Sequence, residues 1–355
     1  MGDKSAYYSS HGKLPFIGKG GQQQLERQKV LVIGAGGLGC PCLLALAGAG
    51  IGTIGIADFD SIAISNIHRQ PLYQPADAGK LKTDVAGKKL SQYNPFINIL
   101  LHPVYVADNN ILHLVSSYDV IADCTDNFAT RYLVNDACVY LNKPLVYGAI
   151  HQSEGHLTVF NYHNSPTLRC LFPKDDTESF ASCAEIGAYN ISTAIIGNMM
   201  ANEVIKILMQ HPEVSAGTLK NINVLDGSML SLQYHSSPDG RKKSIERFSF
   251  PATALTITPA SVSKKIKEAQ HIFLLDVREP QEHQMFNIGG ANIPLPALQQ
   301  ATSFPFSPAQ EIIVYCQKGN RSMQAASLLS KKGFTNVVSM EGGIELWQHL
   351  LNSET

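Results

Sequence analysis

The sequence predicts an α/β protein: a mostly parallel β-sheet with helices on both faces, followed by a second, smaller α/β unit. Through the first 235 residues, short β-branched runs alternate with stretches of small or amphipathic residues. Such alternation is the pattern of a parallel sheet wrapped by helices. Residues 30–57 carry no charged side chain, and eight glycines and Pro41 divide them. Their length would suit a bilayer span, but the punctuation implies strand, turn, helix and strand instead. The 355 residues fit two domains at roughly 150 residues each.

Element by element, strands are expected at 30–33, 53–57, 97–101, 120–122, 145–147, 157–160, 222–225 and 229–234. Helices are expected at 38–49, 83–93, 128–141 and 194–209. From His235 to Ser244 the chain is polar, basic and turn-rich, and Pro251 follows. The loss of apolar period makes 236–254 a linker between a domain at 1–235 and one at 255–355. In the latter, strands are expected at 273–277 and 312–315 and a helix at 322–332.

Composition narrows the classes. Charged residues make up 16% and apolar ones 44%, which excludes disordered, collagen-like and coiled-coil chains. A net charge of -1 argues against a general binder of nucleic acid or membrane surfaces. The first twenty residues show no apolar run behind a basic start, and the seven cysteines are scattered. Reduced thiols and a cytoplasmic location are therefore expected.

Val-Leu-Val-Ile-Gly34-Ala-Gly36-Gly37-Leu-Gly39 is G-x-G-x-x-G after a strand and opening a helix. Gly34 permits the turn, Gly36 lets the backbone approach a phosphate, and Gly39 lets helix and strand pack closely. Asp58 ends the next strand, where its carboxylate can accept from ribose hydroxyls. The motif alone fits NAD or ATP. The stretch from Asp58 to Gln70 through Asp60, Asn66 and Arg69, then Lys82, concentrates cationic and amide donors. A triphosphate that loses pyrophosphate needs such groups, since charge develops on what leaves. Arg69 is one of four arginines in the first 235 residues. The plain alternative for Arg69 and Lys82 is a solvated surface charge. No G-x-x-x-x-G-K-[ST] loop occurs, so a P-loop NTPase is excluded. Within Asp123-Cys-Thr125-Asp126-Asn127, Asp126 or Asn127 can cap a helix. Asp126 can equally hold Mg²⁺ on phosphates at the sheet's carboxyl edge.

GAGGLGCP, DFD…SNIHRQ, Lys82, DCTDNFATRYLVNDACV, CLFP and SCAEIG, in that order over residues 7–235, resemble the ThiF/MoeB family. These are Rossmann-like adenylyltransferases that activate ubiquitin-fold sulfur carriers and are related to ubiquitin-activating enzymes. The resemblance implies a homodimer in which Gly34, Gly36, Gly37, Gly39, Asp58, Asn66, Arg69, Gln70 and Lys82 bind ATP and Asp126 binds Mg²⁺. A carrier's C-terminal glycine carboxylate would attack the α-phosphate, giving an acyl-adenylate and pyrophosphate. The loop 172–188 would cross the carrier tail with Cys183 in reach of the activated carbonyl. Two departures stand out. Where the family has RYSRQ, whose second arginine reaches across the dimer, this chain has Tyr7-Tyr8-Ser9-Ser10-His11, with Lys13 nearby. Of two zinc-binding Cys-x-x-Cys pairs only Cys170 remains, so zinc is not expected; a mixed site with His163 or His235 has little support.

Leu274-Leu-Asp276-Val-Arg278-Glu-Pro, the stretch 287–294, Cys316-Gln-Lys-Gly-Asn-Arg321-Ser322 and the stretch 341–347 resemble a rhodanese domain over 255–355. Cys316 follows an apolar strand and precedes a helix, so loop N–H groups surround its sulfur. The helix N-terminus, Lys318 and Arg321 are expected to favour a thiolate and a persulfide anion. Four residues separate Cys316 from Arg321; this cradle is shorter than the Cys-x5-Arg of phosphatases and fits sulfur better than phosphate. The expected activity is ATP-dependent adenylation of a carrier of thiamine or molybdopterin type with a Gly-Gly tail. Persulfide transfer from Cys316 follows, fed by a persulfide or thiosulfate donor, with Cys183 or an external thiol resolving the product. The alternatives are an NAD-dependent oxidoreductase with an appended sulfurtransferase, and a scaffold whose adenylation has decayed.

Overall fold

A computed structural model describes residues 3–173, 187–249 and 255–353. The chain divides into two compact units, Met1–Arg247 and Phe248–Thr355. Strands of the first are β1 (Lys29–Ile33), β2 (Thr53–Ala57), β3 (Asn98–His102), β4 (Val120–Asp123), β5 (Leu145–His151), β6 (Glu154–Phe160), β7 (Thr218–Asn223) and β8 (Met229–Gln233). They form an eight-stranded sheet in the order β3-β2-β1-β4-β5-β6-β7-β8. From β3 to β5 the pairing is parallel, and from β5 to β8 antiparallel. The chain leaves β1 in one direction for β2 and β3, then returns to lay β4 on its other side. Between the carboxyl ends of β1 and β4, where Ile33 is level with Asp123, this reversal opens the crevice in which doubly wound sheets bind ligands.

The uncharged stretch 30–57 is one β–loop–α–β unit: β1, the helix Gly39–Ala49 and β2. Val30, Leu31, Val32, Leu43, Leu46, Ile54 and Ile56 are wholly buried, each such side chain stabilising the fold by about 1.5–3 kcal/mol. Its lack of charge follows from burial on every side. β7 departs from expectation, running over Thr218–Asn223 and not 222–225. Asn223 Oδ1 accepts the Leu225 N–H (3.0 Å) and Asp226 Oδ1 the Ser228 N–H (2.8 Å), closing a turn at Gly227 (φ 74°).

Much of the stretch expected as a linker, 236–254, is a helix, Pro238–Ser249, held to the first unit by polar contacts. Fully buried Asp136 takes Arg169 at two points (2.7 Å each), Ser244 Oγ (2.7 Å) and Arg247 Nη1 (3.3 Å). Arg247 also pairs with Asp108 (2.9 Å). Charged and hydroxyl side chains anchor this helix, and its polar, basic opening gives it the look of a linker in the sequence.

Strands of the second unit are β9 (Leu255–Ile257), β10 (Ile272–Asp276), β11 (Ala291–Asn292), β12 (Glu311–Tyr315) and β13 (Val337–Met340). They form a wholly parallel sheet in the order β11-β10-β12-β13-β9. Along β12, Ile312 and Val314 enter one apolar cluster with Leu275, Ala325 and Leu329. Ile313 and Tyr315 enter another with Val262, Val338 and Trp347. Two-residue alternation into a core on each face explains the continuous apolar run.

Candidate functional sites: a nucleotide cavity and a sulfur loop

β1 ends at a turn that only glycine suits. Gly34 has φ 92°, and a Cβ there would lie 2.8 Å from the Cys124 carbonyl. At Gly39 a Cβ would fall 1.9 Å from the Gly34 oxygen, so the helix can start this close to the strand only without a side chain. Gly36 has room before it: the nearest atom to its missing Cβ is Gln70 Nε2, at 3.6 Å. Gly37 packs under Thr193, at 3.0 Å. Gly39→Ala is expected to cost about 1–3 kcal/mol by overpacking, read as a lower urea midpoint. An unchanged midpoint would mean that the helix start yields freely.

The turn forms one wall of a cavity of about 410 Å³. Gly34, Gly36, Gly37, Asp58, Asn66, Arg69, Gln70, Lys82 and Asp126 all line it. Gly39 does not; its part is the packing just described. Asp58 is pinned from two sides, Oδ2 accepting the Ala35 N–H (2.7 Å) and Oδ1 the Asp60 N–H (2.8 Å). Burial pushes its carboxyl above the ordinary value, while the Lys82 ammonium pulls it down. Lys82 is buried and reaches Asp60 (2.6 Å) and Asp58 (3.9 Å), which hold its ammonium in the cavity wall. Arg69 is oriented by Asn66 Oδ1 (2.8 Å) and the Ser65 carbonyl (3.3 Å). Gln70 is buried, yet its Oε1 has no hydrogen-bond partner among the described residues. An orphaned acceptor in a cavity wall fits a site built for a ligand.

Across the crevice, the loop after β4 is gripped from both sides. Asp123 Oδ1 accepts the Thr125 N–H (3.0 Å) and Thr125 Oγ1–H (2.7 Å). Arg131 donates to the Thr125 carbonyl through Nη2 (2.7 Å) and Nε (3.3 Å). Nη1 of Arg131 reaches Tyr147 Oη (3.0 Å), and the guanidinium lies 4.9 Å from that ring's centre. Asn127 Oδ1 caps the helix Phe128–Tyr140 by accepting the Thr130 N–H. Asp126 is left exposed on the cavity side with no hydrogen bond or ion pair among the described residues, a carboxylate of the kind Mg²⁺–phosphate sites use. Arg131, Phe59, Tyr105 and Thr193 also line the cavity; sequence reasoning passed over them. For Arg131 a signal existed, since it is one of the few arginines in a domain poor in charge.

Ser10 and Lys13 are exposed and do not line the cavity. The Cys170 sulfur accepts N–H groups of Ser237 (3.2 Å) and Thr167 (3.4 Å). Among the described residues no three His, Cys, Asp or Glu side chains are placed to hold a metal. Burial pushes the Cys40 thiol up to about 12 and the Cys138 thiol well up. These are inert core thiols. Cys183 lies outside the described residues.

In the second unit Cys316 follows β12 and is buried, its sulfur accepting the Gly319 N–H (3.1 Å). Gly319 (φ 94°) leads into the helix Asn320–Lys331. Loop carbonyls are braced, with Ile344 N–H on the Cys316 oxygen (2.9 Å) and Glu345 N–H on that of Gln317 (3.1 Å). Arg321, expected to lend positive charge to the sulfur, feels the Cys316 charge but is also tied to a carboxylate. Arg321 meets Glu282 at two points, 2.6 Å each, and Lys318 lies 3.8 Å from Glu345.

Residues 8–243 match the ThiF family and residues 258–350 the rhodanese-like domain. The chain belongs to the ThiF family. Its relatives include the Mycobacterium tuberculosis "Probable adenylyltransferase/sulfurtransferase MoeZ", 36% identical over 97% of this chain and 93% of that protein. The Anopheles gambiae "Adenylyltransferase and sulfurtransferase MOCS3" is 35% identical, over 97% and 87%. A Thermus thermophilus "Sulfur carrier protein adenylyltransferase" is 42% identical over 63% of this chain and 85% of its own length. Among solved structures, Escherichia coli MccB matches with TM-score 0.55 and 24% identity, covering 61% of this chain and 67% of MccB. That likeness shows the fold. The ThiF-family and rhodanese-like matches fall one on each unit, the larger carrying the cavity beside the glycine turn and the smaller the Cys316 loop.

Proposed function

We propose that this chain uses ATP to adenylate the C-terminal glycine of a ubiquitin-fold sulfur carrier and then converts the acyl-adenylate to a thiocarboxylate with sulfur carried on Cys316. The observation that carries the first half is the gathering of Asn66, Arg69, Gln70, Lys82 and Asp126 with the glycine turn around one cavity. The relatives named adenylyltransferase and sulfurtransferase support both halves. In the first step a carboxylate oxygen of the carrier bonds to the α-phosphorus and the bond to the β-phosphate bridge breaks. Charge grows on the departing pyrophosphate, where Arg69 and Lys82 stabilise it. Asp58 takes the ribose hydroxyls, and Gly36 lets the backbone approach the phosphates. Asp126 is the carboxylate that would hold Mg²⁺, which neutralises phosphate charge when bound.

In the second step the terminal sulfur of the Cys316 persulfide bonds to the carrier carbonyl, AMP leaves, and an acyl disulfide links carrier and Cys316. A thiolate, from Cys183 or an external thiol, then attacks the Cys316 sulfur. The thiocarboxylate leaves with the electron pair, and the attacking thiol stays disulfide-bonded to Cys316. The persulfide itself comes from a persulfide or thiosulfate donor. A homodimer is part of this reading by family resemblance, with Ser10 where the cross-dimer arginine stands elsewhere.

ATP–pyrophosphate exchange tests the proposal. Exchange is expected only with a carrier ending in Gly-Gly and is lost when that tail is truncated. An NAD-dependent oxidoreductase shows no exchange with any carrier, and that result sinks the proposal. Parallel assays with thiamine-type and molybdopterin-type carriers assign the pathway.

A further inference from the structure

We propose that Glu282 sets the net charge of the Cys316 cradle, and so which sulfur compounds it admits, by holding Arg321 in a two-point ion pair. The inference rests on Cys316 being the sulfur-carrying thiol. Arg321 Nη1 and Nη2 meet Glu282 Oε2 and Oε1 at 2.6 Å each, the parallel fork geometry of strong carboxylate–guanidinium pairs. Glu282 is itself anchored, since its Oε2 accepts the Glu279 N–H (3.0 Å) in the first turn of the helix Pro280–Met285. Arg321 holds the Glu282 carboxyl below its ordinary value, so the pair stays ionised at neutral pH.

The other charges around the loop also face opposite charges, less tightly at Lys318, which is 3.8 Å from Glu345. Buried Arg278 pairs with Asp276 (2.7 Å), and His283 Nδ1 lies 2.9 Å from that same carboxylate. Arg278 also donates to the side chain of Gln317 (3.0 Å). Among the described residues each cation of the cradle faces a carboxylate, so Arg321, whose charge reaches Cys316, acts on the sulfur with a field weakened by Glu282, beside the Gly319 N–H and the start of the helix.

Such a cradle suits a singly charged Cys–S–S⁻ group. It gives little help to a dianionic donor such as thiosulfate, which has to approach a thiolate of like charge. In that reaction the Cys316 thiolate bonds to the outer sulfur of thiosulfate, the S–S bond of the donor breaks, and sulfite leaves with the electron pair. A free Arg321 would offset the repulsion more strongly; Glu282 weakens that help.

The test alkylates Cys316 in the full-length protein with iodoacetate, an anion, and with neutral iodoacetamide, followed by mass spectrometry of the Cys316 peptide. Glu282→Gln is expected to raise the iodoacetate-to-iodoacetamide rate ratio about five- to tenfold, the size of one charge a few ångströms away at intermediate dielectric. It is also expected to lower KM for thiosulfate more than it changes kcat. Arg321→Gln, which leaves Glu282 unpaired, is expected to move the ratio the other way, and the double variant to restore it. A ratio unmoved in both single variants, or still raised in the double variant, overturns the proposal. Because alkylation involves no sulfur transfer, the charge assignment can be judged separately from the role of Cys316 as sulfur carrier.

Discussion

Asp126→Ala is expected to lower carrier-dependent ATP–pyrophosphate exchange by roughly 10²–10³-fold, the usual cost of removing one group that stabilises developing charge. The fold has no stake in this side chain. Asp126 is exposed, and the helix that follows is capped by Asn127. The thermal midpoint should therefore stay where it is while exchange collapses, and Asp126→Asn should fall between. Raising Mg²⁺ should recover part of the exchange in Asp126→Asn and little in Asp126→Ala. Near-normal exchange in Asp126→Ala would remove this carboxylate from the reaction. Carrier-dependent exchange in the unmodified chain, abolished by this substitution, would rule out a decayed scaffold, the possibility that Ser10 raises.

What the sequence made legible was local. The glycine turn could be read because strand, turn and helix are contiguous and each glycine answers a nearby clash, as Gly39 does with Gly34. The cationic segment could be read because Asn66, Arg69 and Gln70 are neighbours in the chain. What stayed hidden depends on distant partners. Arg131 owes its place in the cavity wall to Tyr147 and Gly148 on β5, and nothing around position 131 announces that pairing. The helix Pro238–Ser249 looked like a linker because its anchor, Asp136, lies more than a hundred residues earlier. The pairing of Arg321 with Glu282 stayed hidden because that partner stands 39 positions away. Periodicity reports apolar burial, whereas polar attachment leaves no period to find.

Cys316→Ala is expected to separate the two halves of the chemistry. Pyrophosphate exchange should continue at its normal rate, because the cavity belongs to the first unit and Cys316 lies in the core of the second. Thiocarboxylate formation should drop to background with either persulfide or thiosulfate as donor, and the acyl-adenylate should accumulate or hydrolyse. The substitution replaces one small buried side chain, so unfolding is a minor concern; the loop keeps the Ile344 and Glu345 N–H braces on its carbonyls. Cys316→Ser keeps the shape and a weak acceptor for the Gly319 N–H, yet cannot carry persulfide sulfur. Equal loss in both variants would point to sulfur chemistry and not to packing. If Cys316→Ala instead left the thiocarboxylate yield unchanged, sulfur would be reaching the adenylate from elsewhere. Cys183 would then become the thiol to replace next, since among the described cysteines only Cys316 lies in a loop between a strand end and a helix N-terminus of the second unit, where backbone N–H groups can hold a sulfur anion.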